Sequence, residues 1–215
     1  MADHNRRINY SESVAAAEGG DNLTFHPNRI YLTLLLFSLS ILFLALTGAY
    51  LYNRFQAGLP PLRLPVIFLF NTFVLLGGSW AMSRAKTAYR DDDTVGYQRM
   101  LLATLIASLL FMALQCVGWY QLFSQDRFIN SDNSAGYLYV ISALHFAHVI
   151  AGLPFLIGFL IVAYRRMKEP VSVLVYFSDP QKRLKLQLLT LYWHFLDGLW
   201  IYLVLFFFAN QLLFG

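Results

Sequence analysis

The chain of 215 residues is 58% hydrophobic and only 13% charged, and its mean hydropathy of +0.52 is too high for a water-soluble domain of that size. Apolar stretches long enough to cross a hydrocarbon core of about 30 Å recur along most of it, while the short alternating segments of a membrane β-barrel are absent. A single cysteine, Cys116, excludes a disulfide framework and a thiolate or iron–sulfur site built within the chain, and nothing in the basic residues points to nucleic acid. The class implied is all-α, a polytopic membrane protein.

In chain order, residues 1–28 are polar, rich in Asn, Ser, Glu and Gly, and lack the apolar core and small-residue cleavage site of a secretory signal. They read as a retained tail. Residues 29–215 read as one membrane domain with spans of about 30–51, 64–82, 100–123, 136–164 and 186–213. Span two carries Asn71 and the small-residue patch Gly77, Gly78, Ser79, suited to close helix packing. The run Asp91, Asp92, Asp93 reads as a solvated loop or helix cap, since Arg84, Lys86, Arg90 and Arg99 offset its charge. Span three holds Gln115, which like Asn71 suits interhelical hydrogen bonding. Span four has a soft point at Gly152 and Pro154. The last two spans exceed a perpendicular crossing and are expected to tilt or project beyond the hydrocarbon.

Basic residues orient the five-helix bundle, because Lys and Arg near span ends stay on the cytoplasmic side. Thirteen of the sixteen fall on one side: Arg6, Arg7 and Arg29 before span one, Arg84, Lys86, Arg90 and Arg99 after span two, and Arg165, Arg166, Lys168, Lys182, Arg183 and Lys185 after span four. Only Arg54, Arg63 and Arg127 face the other way. This places the N-terminus in the cytoplasm and the C-terminus in the periplasm. The basic loops serve topology and contact with anionic lipid.

Four ionisable residues lie at membrane depth: His145, His148, His194 and Asp197. Such groups cost a few kcal/mol in lipid, so they face a bundle interior and find partners. Within each of the pairs His145/His148 and His194/Asp197, three residues apart, both members share a helix face. At a rise of about 1.5 Å per residue, His148, His194 and Asp197 come to similar depth, so span four is expected to bring His148 to His194 or Asp197. Three histidines also suit a metal or haem site. Against it, a pair three residues apart lacks the remaining ligands of a closed site, and a hydrogen-bonded lock between helices needs no metal.

The segment Tyr192-Trp193-His194-Phe195-Leu196-Asp197-Gly198-Leu199-Trp200 resembles the YWHFVDxxW signature on the last helix of subunit III of the haem-copper oxidases, and Ser142-Ala143-Leu144-His145-Phe146-Ala147-His148-Val149-Ile150-Ala151-Gly152 resembles that family's TGFHGLHVIIG segment. Gly48-Ala49-Tyr50-Leu51, Phe70-Asn71-Thr72 with Leu75-Leu76, and Leu114-Gln115 with Trp119-Tyr120 follow in the family's order, so the resemblance covers the chain from about residue 30 onward. The mitochondrial form has seven helices; this chain looks like the shorter bacterial form without the first two.

The resemblance implies an accessory subunit in a bacterial inner membrane, itself turning nothing over and holding no cofactor. Haem and copper would sit in partner subunits, with catalytic subunit I, other oxidase subunits and phospholipid as neighbours. Family members help keep the core active, bind lipid between their helix bundles, and are linked to proton uptake and O₂ access. His145, His148, His194, Asp197, Asn71, Gln115, Trp193 and Trp200 would then be structural or lipid-contacting residues. Two buried glutamates usual in the family are missing: Leu39 and Gly118 stand at those positions. A haem-binding membrane anchor and a small proton-coupled transporter using Asp197 are the readings from other classes. The charge asymmetry makes a direct prediction: a cysteine placed at Lys168 stays unlabelled by an impermeant thiol reagent in intact cells and is labelled after lysis, and labelling before lysis would reverse the orientation.

Overall fold

The computed structural model describes residues 27–58, 65–124, 133–167 and 170–214; the tail of residues 1–26, Arg63, Arg127 and Lys168 lie outside them. All regular structure among the described residues is helical: α1 Pro27–Ala57, α2 Val66–Arg90, α3 Thr94–Ser124, α4 Asn133–Arg166, α5 Pro170–Ser178 and α6 Pro180–Phe214. Five of these are long and apolar enough to cross a membrane, and α5 is not among them. The chain divides into a unit of residues 1–35, described only for the first turns of α1, and a unit of residues 36–215 that holds everything considered below.

The helices overrun the apolar runs that announce them. The second continues through Ser83 and Arg84 to Arg90, because the aspartates that follow supply both its end and the next beginning. Asp92 adopts a left-handed φ of 54°, and the Asp93 N–H reaches back to the Ala88 carbonyl at 2.9 Å, the bonding of a Schellman stop with Asp in place of the usual Gly. The Asp93 carboxylate then accepts the Gly96 N–H at 2.9 Å and caps α3, a contact worth about 1 kcal/mol. Asp179 does the same for α6, accepting the Gln181 N–H at 2.9 Å, with Pro180 in the first helical position, where its missing N–H costs nothing.

In the second unit α3 packs on α2 and α4, and α6 also packs on α2 and α4, closing a ring of four helices. The part of α1 that belongs to this unit, from Leu36 on, leans on α4 and α6 through its side chains: Thr47 meets the Tyr202 hydroxyl at 2.8 Å, and Tyr50 stacks edge-on against Tyr137, Phe206 and Phe207. The short α5 covers the basic end, where Tyr89 donates to the Tyr176 carbonyl at 3.0 Å.

Close approach depends on three glycines. A β-carbon at Gly78 would stand 3.1 Å from Ala107 across the α2–α3 seam, and one at Gly152 would stand 2.8 Å from the rings of Tyr192 and Trp193 on α6. One at Gly118 would run into the Phe68 ring, which cannot retreat because Phe68 is buried and packed edge-on against Trp200 at 5.8 Å. Gly118→Ala is therefore expected to cost about 1–3 kcal/mol as overpacking, although the same change at an open helix site would gain close to 1 kcal/mol. Unfolding of the purified chain in detergent, measured for Gly118→Ala, Phe68→Leu and the double variant, should show a double change less costly than the sum of the singles. Strict additivity would remove the steric account.

Candidate functional site

Several groups of interior polar residues are built where two helices meet. Among these, Asn71 on α2 and Gln115 on α3 are fully buried. The Asn71 amide donates to the Phe111 carbonyl at 3.2 Å and to Gln115 Oε1 at 3.4 Å, tying α2 to α3. The next residue, Thr72, turns toward α6, where Trp200 donates its indole N–H to Thr72 Oγ1 at 3.2 Å, so adjacent residues of α2 fasten it to two different neighbours.

His145 on α4 is completely buried and reaches across to the Leu196 carbonyl of α6, Nε2 to oxygen 3.1 Å. A carbonyl only accepts, so the proton sits on Nε2. The other nitrogen, Nδ1, has no hydrogen-bond partner among the described residues, and the ring lies between Phe111 and Trp200 at centroid distances of 5.6 and 5.2 Å. The aromatic walls leave His145 a link between helices.

His194 on α6 turns toward α2. Its Nδ1 lies 2.7 Å from Ser79 Oγ and its Nε2 lies 3.1 Å from Ser83 Oγ. The Asp197 carboxylate is buried, with Oδ2 3.9 Å from the same Nδ1, and Ser79 also lies beside it. Serine, histidine and aspartate together invite comparison with a hydrolytic triad, in which the base holds its nucleophile with one nitrogen and its orienting carboxylate with the other. Here Ser79 occupies the nitrogen nearest Asp197, and 3.9 Å is too long for a hydrogen bond. The arrangement is a clasp between α2 and α6.

His148 does not join this group. Its Nδ1 donates to the Leu144 carbonyl of its own helix at 2.7 Å, and its ring meets Phe43 edge-on at 6.4 Å. The expected meeting of His148 with His194 or Asp197 is therefore corrected: the depths agree, but α4 and α6 are rotated so that His145 takes the α6 backbone and His194 takes the α2 serines. At His148 it is the backbone that meets α6, the Tyr192 hydroxyl donating to the His148 carbonyl at 2.8 Å. Trp193 is buried in the packing at the basic end.

One group went unread in the sequence. Arg54, counted there only as a topological charge, is buried and donates through Nη1 to the Tyr50 hydroxyl at 3.2 Å and to Asn210 Oδ1 at 3.4 Å. Its position in the last turn of α1 suits a cation, because the helix dipole ends there. The available signal was an arginine and an asparagine near the same membrane face, on the first and last spans. Among the described residues no group of three or more His, Cys, Asp or Glu side chains is placed to hold a metal ion.

These features define a multi-pass α-helical membrane protein whose interior polar side chains fasten one helix to another. A family model for cytochrome c oxidase subunit III matches residues 28–211. The chain belongs to that family. Curated relatives include cytochrome c oxidase subunit 3 of Synechocystis sp., 28% identical over 185 residues that cover 83% of this chain and 74% of the relative. The subunit 3 of Thermostichus vulcanus is 27% identical over 201 residues, covering 89% and 92%, and a probable subunit 3 of Nocardia farcinica is 28% identical over 130 residues, covering 60% and 59%.

Replacing Asn71 by Leu strips the Phe111 carbonyl and Gln115 Oε1 of a donor in a buried site. The expected loss is about 1–3 kcal/mol, larger than the average of about 0.6 kcal/mol for hydrogen bonds between membrane helices. Unfolding of the purified chain in a denaturing detergent titration measures it, and an unchanged midpoint would show that the amide pair carries no weight.

Proposed function

We propose that this chain is the accessory subunit III of a proton-pumping haem-copper terminal oxidase in a bacterial inner membrane, with its basic face and N-terminus in the cytoplasm. It packs on catalytic subunit I, prolongs the active life of that subunit, and supports O₂ access, lipid binding and proton uptake there. Membership of the family over nearly the whole chain is the observation that carries this reading. The interior chemistry supports it: His145, His194 and Asn71 are engaged with neighbouring helices. His145, His148, His194, Asp197, Asn71, Gln115, Trp193 and Trp200 act in this proposal by holding the bundle in shape for its partner.

Neither position that resembles a family glutamate carries an ionisable group here. Leu39 is buried in the apolar core, and the Phe68 ring stands where a side chain at Gly118 would go. The proposed support for proton uptake is therefore assigned to the assembled surface rather than to those positions.

Deleting the chain should leave haem and copper stoichiometry of the oxidase core intact while reducing the number of turnovers completed before inactivation. Metal analysis, absorbance spectra and prolonged O₂-consumption traces on the purified complex test both halves. A core that is otherwise intact but has lost one haem or copper would overturn the proposal, as would a Soret band from the isolated chain.

A further inference from the structure

At the basic end of the bundle, the end of α2, the turn after it, the end of α5 and the first turn of α6 surround a recess of about 360 Å³ lined by Tyr89, Arg90, Asp92, Phe177 and Arg183. That is the lower part of the range for small-ligand pockets, about 300–1,000 Å³. Its frame is fixed. Tyr89 and Phe177 are buried and pack edge-on at 5.0 Å, the Tyr89 hydroxyl is committed to the Tyr176 carbonyl, and the capped turn holds Asp92. The Arg183 N–H is bonded to the Asp179 carbonyl at 3.1 Å.

The charges around it are not used up. Nearby, Lys182 pairs with Asp179 at 3.4 Å and lies over the Tyr176 ring at 4.5 Å. Among the described residues Arg90, Asp92 and Arg183 form no ion pair with one another or with any other group. Two guanidiniums and one carboxylate thus line a single recess without neutralising each other.

We propose that this recess binds a phospho-amine headgroup, its phosphate on Arg90 and Arg183 and its primary ammonium on Asp92, the source being an aminophospholipid of the surrounding leaflet. Guanidinium matches phosphate oxygens in charge and geometry, and the ammonium supplies the donors that Asp92 lacks. Inorganic phosphate or a glycerol headgroup would leave Asp92 facing a like charge, and a choline headgroup has no N–H to give it. A lipid source fits the setting: Leu174, on the same short helix as Phe177, is 66% exposed, so apolar surface adjoins the recess. The inference deepens the lipid-binding part of the proposed function and puts the site at the Asp91–Asp93 turn, apart from the helix-to-helix surfaces.

The test uses the complex purified through this chain and exchanged into nanodiscs of phosphatidylethanolamine, phosphatidylcholine and phosphatidylglycerol in equal parts, with retained lipid read on the mass of this chain. Wild type should retain phosphatidylethanolamine over either competitor by about tenfold, the scale of one charge-assisted hydrogen bond. The Arg90→Gln/Arg183→Gln variant should lose retention. Asp92→Asn, which keeps the left-handed turn because Asn tolerates that backbone, should erase the preference over phosphatidylglycerol while the unfolding midpoint stays unchanged. Equal retention of phosphatidylcholine would overturn the proposal, as would an Asp92→Asn variant that gains phosphatidylglycerol with its phosphatidylethanolamine unaltered, the mark of a plain anion site. Displacement by millimolar water-soluble phosphoethanolamine would overturn the lipid source. Because binding is read on this chain, absence of a haem-copper core from the preparation would count against the proposed function alone.

Discussion

A polar atom carried into hydrocarbon has no water to turn to, and the helices of this protein are held where they are by the partners such atoms require. Apolar burial alone would not select one arrangement, since lipid tails receive a leucine as readily as a neighbouring helix does. The Asn71 amide N–H finds acceptors only if α3 presents Phe111 and Gln115 to it. His145 finds an acceptor only if α6 presents Leu196, and His194 meets Ser79 and Ser83 only if α2 lies on the other side of α6. These contacts fix the rotation of each helix about its own axis, and the ring of α2, α3, α4 and α6 closes because they are mutually compatible.

The small residues make those contacts reachable. Hydrogen bonds of about 3 Å between helices need backbones that approach closely, and Gly78 and Gly152 remove the side chains that would keep α2 from α3 and α4 from α6. At the wider seam with α1 the work falls to longer side chains instead, and Arg54 reaches Asn210 across it. Glycine and arginine here are two answers to the same spacing problem.

Which stretches cross the membrane was legible because apolar length is a one-dimensional property. The helix ends were not, since Ser83 to Arg90 is polar by composition and is made helical by the capping that Asp91 to Asp93 provide. The nine residues of α5 are too few for a span, and an apolar run that short does not by itself declare a helix. In the interior, rise per residue placed His148, His194 and Asp197 at one depth, but depth says nothing about rotation. The pairing of His194 with Ser79 and Ser83, and the engagement of His145 rather than His148 with α6, depend on the way the helices turn.

Two positions show how such an interior exchanges charge for volume. A carboxyl group inside a helix bundle needs either a proton or a partner, and each option commits neighbouring groups to serving it. With Leu39 at one site the core there closes over an aliphatic side chain. With Gly118 at the other, the Phe68 ring occupies the space that a side chain there would take and packs on Trp200, which in turn contacts both Phe111 and His145. Placing a glutamate at 118 would therefore require more than the acid itself: Phe68 would have to leave, and Trp200 would lose one of the walls that set its ring against His145. The aromatic packing and the absence of the carboxylate are one structural choice, made at the point where α2, α3, α4 and α6 come together.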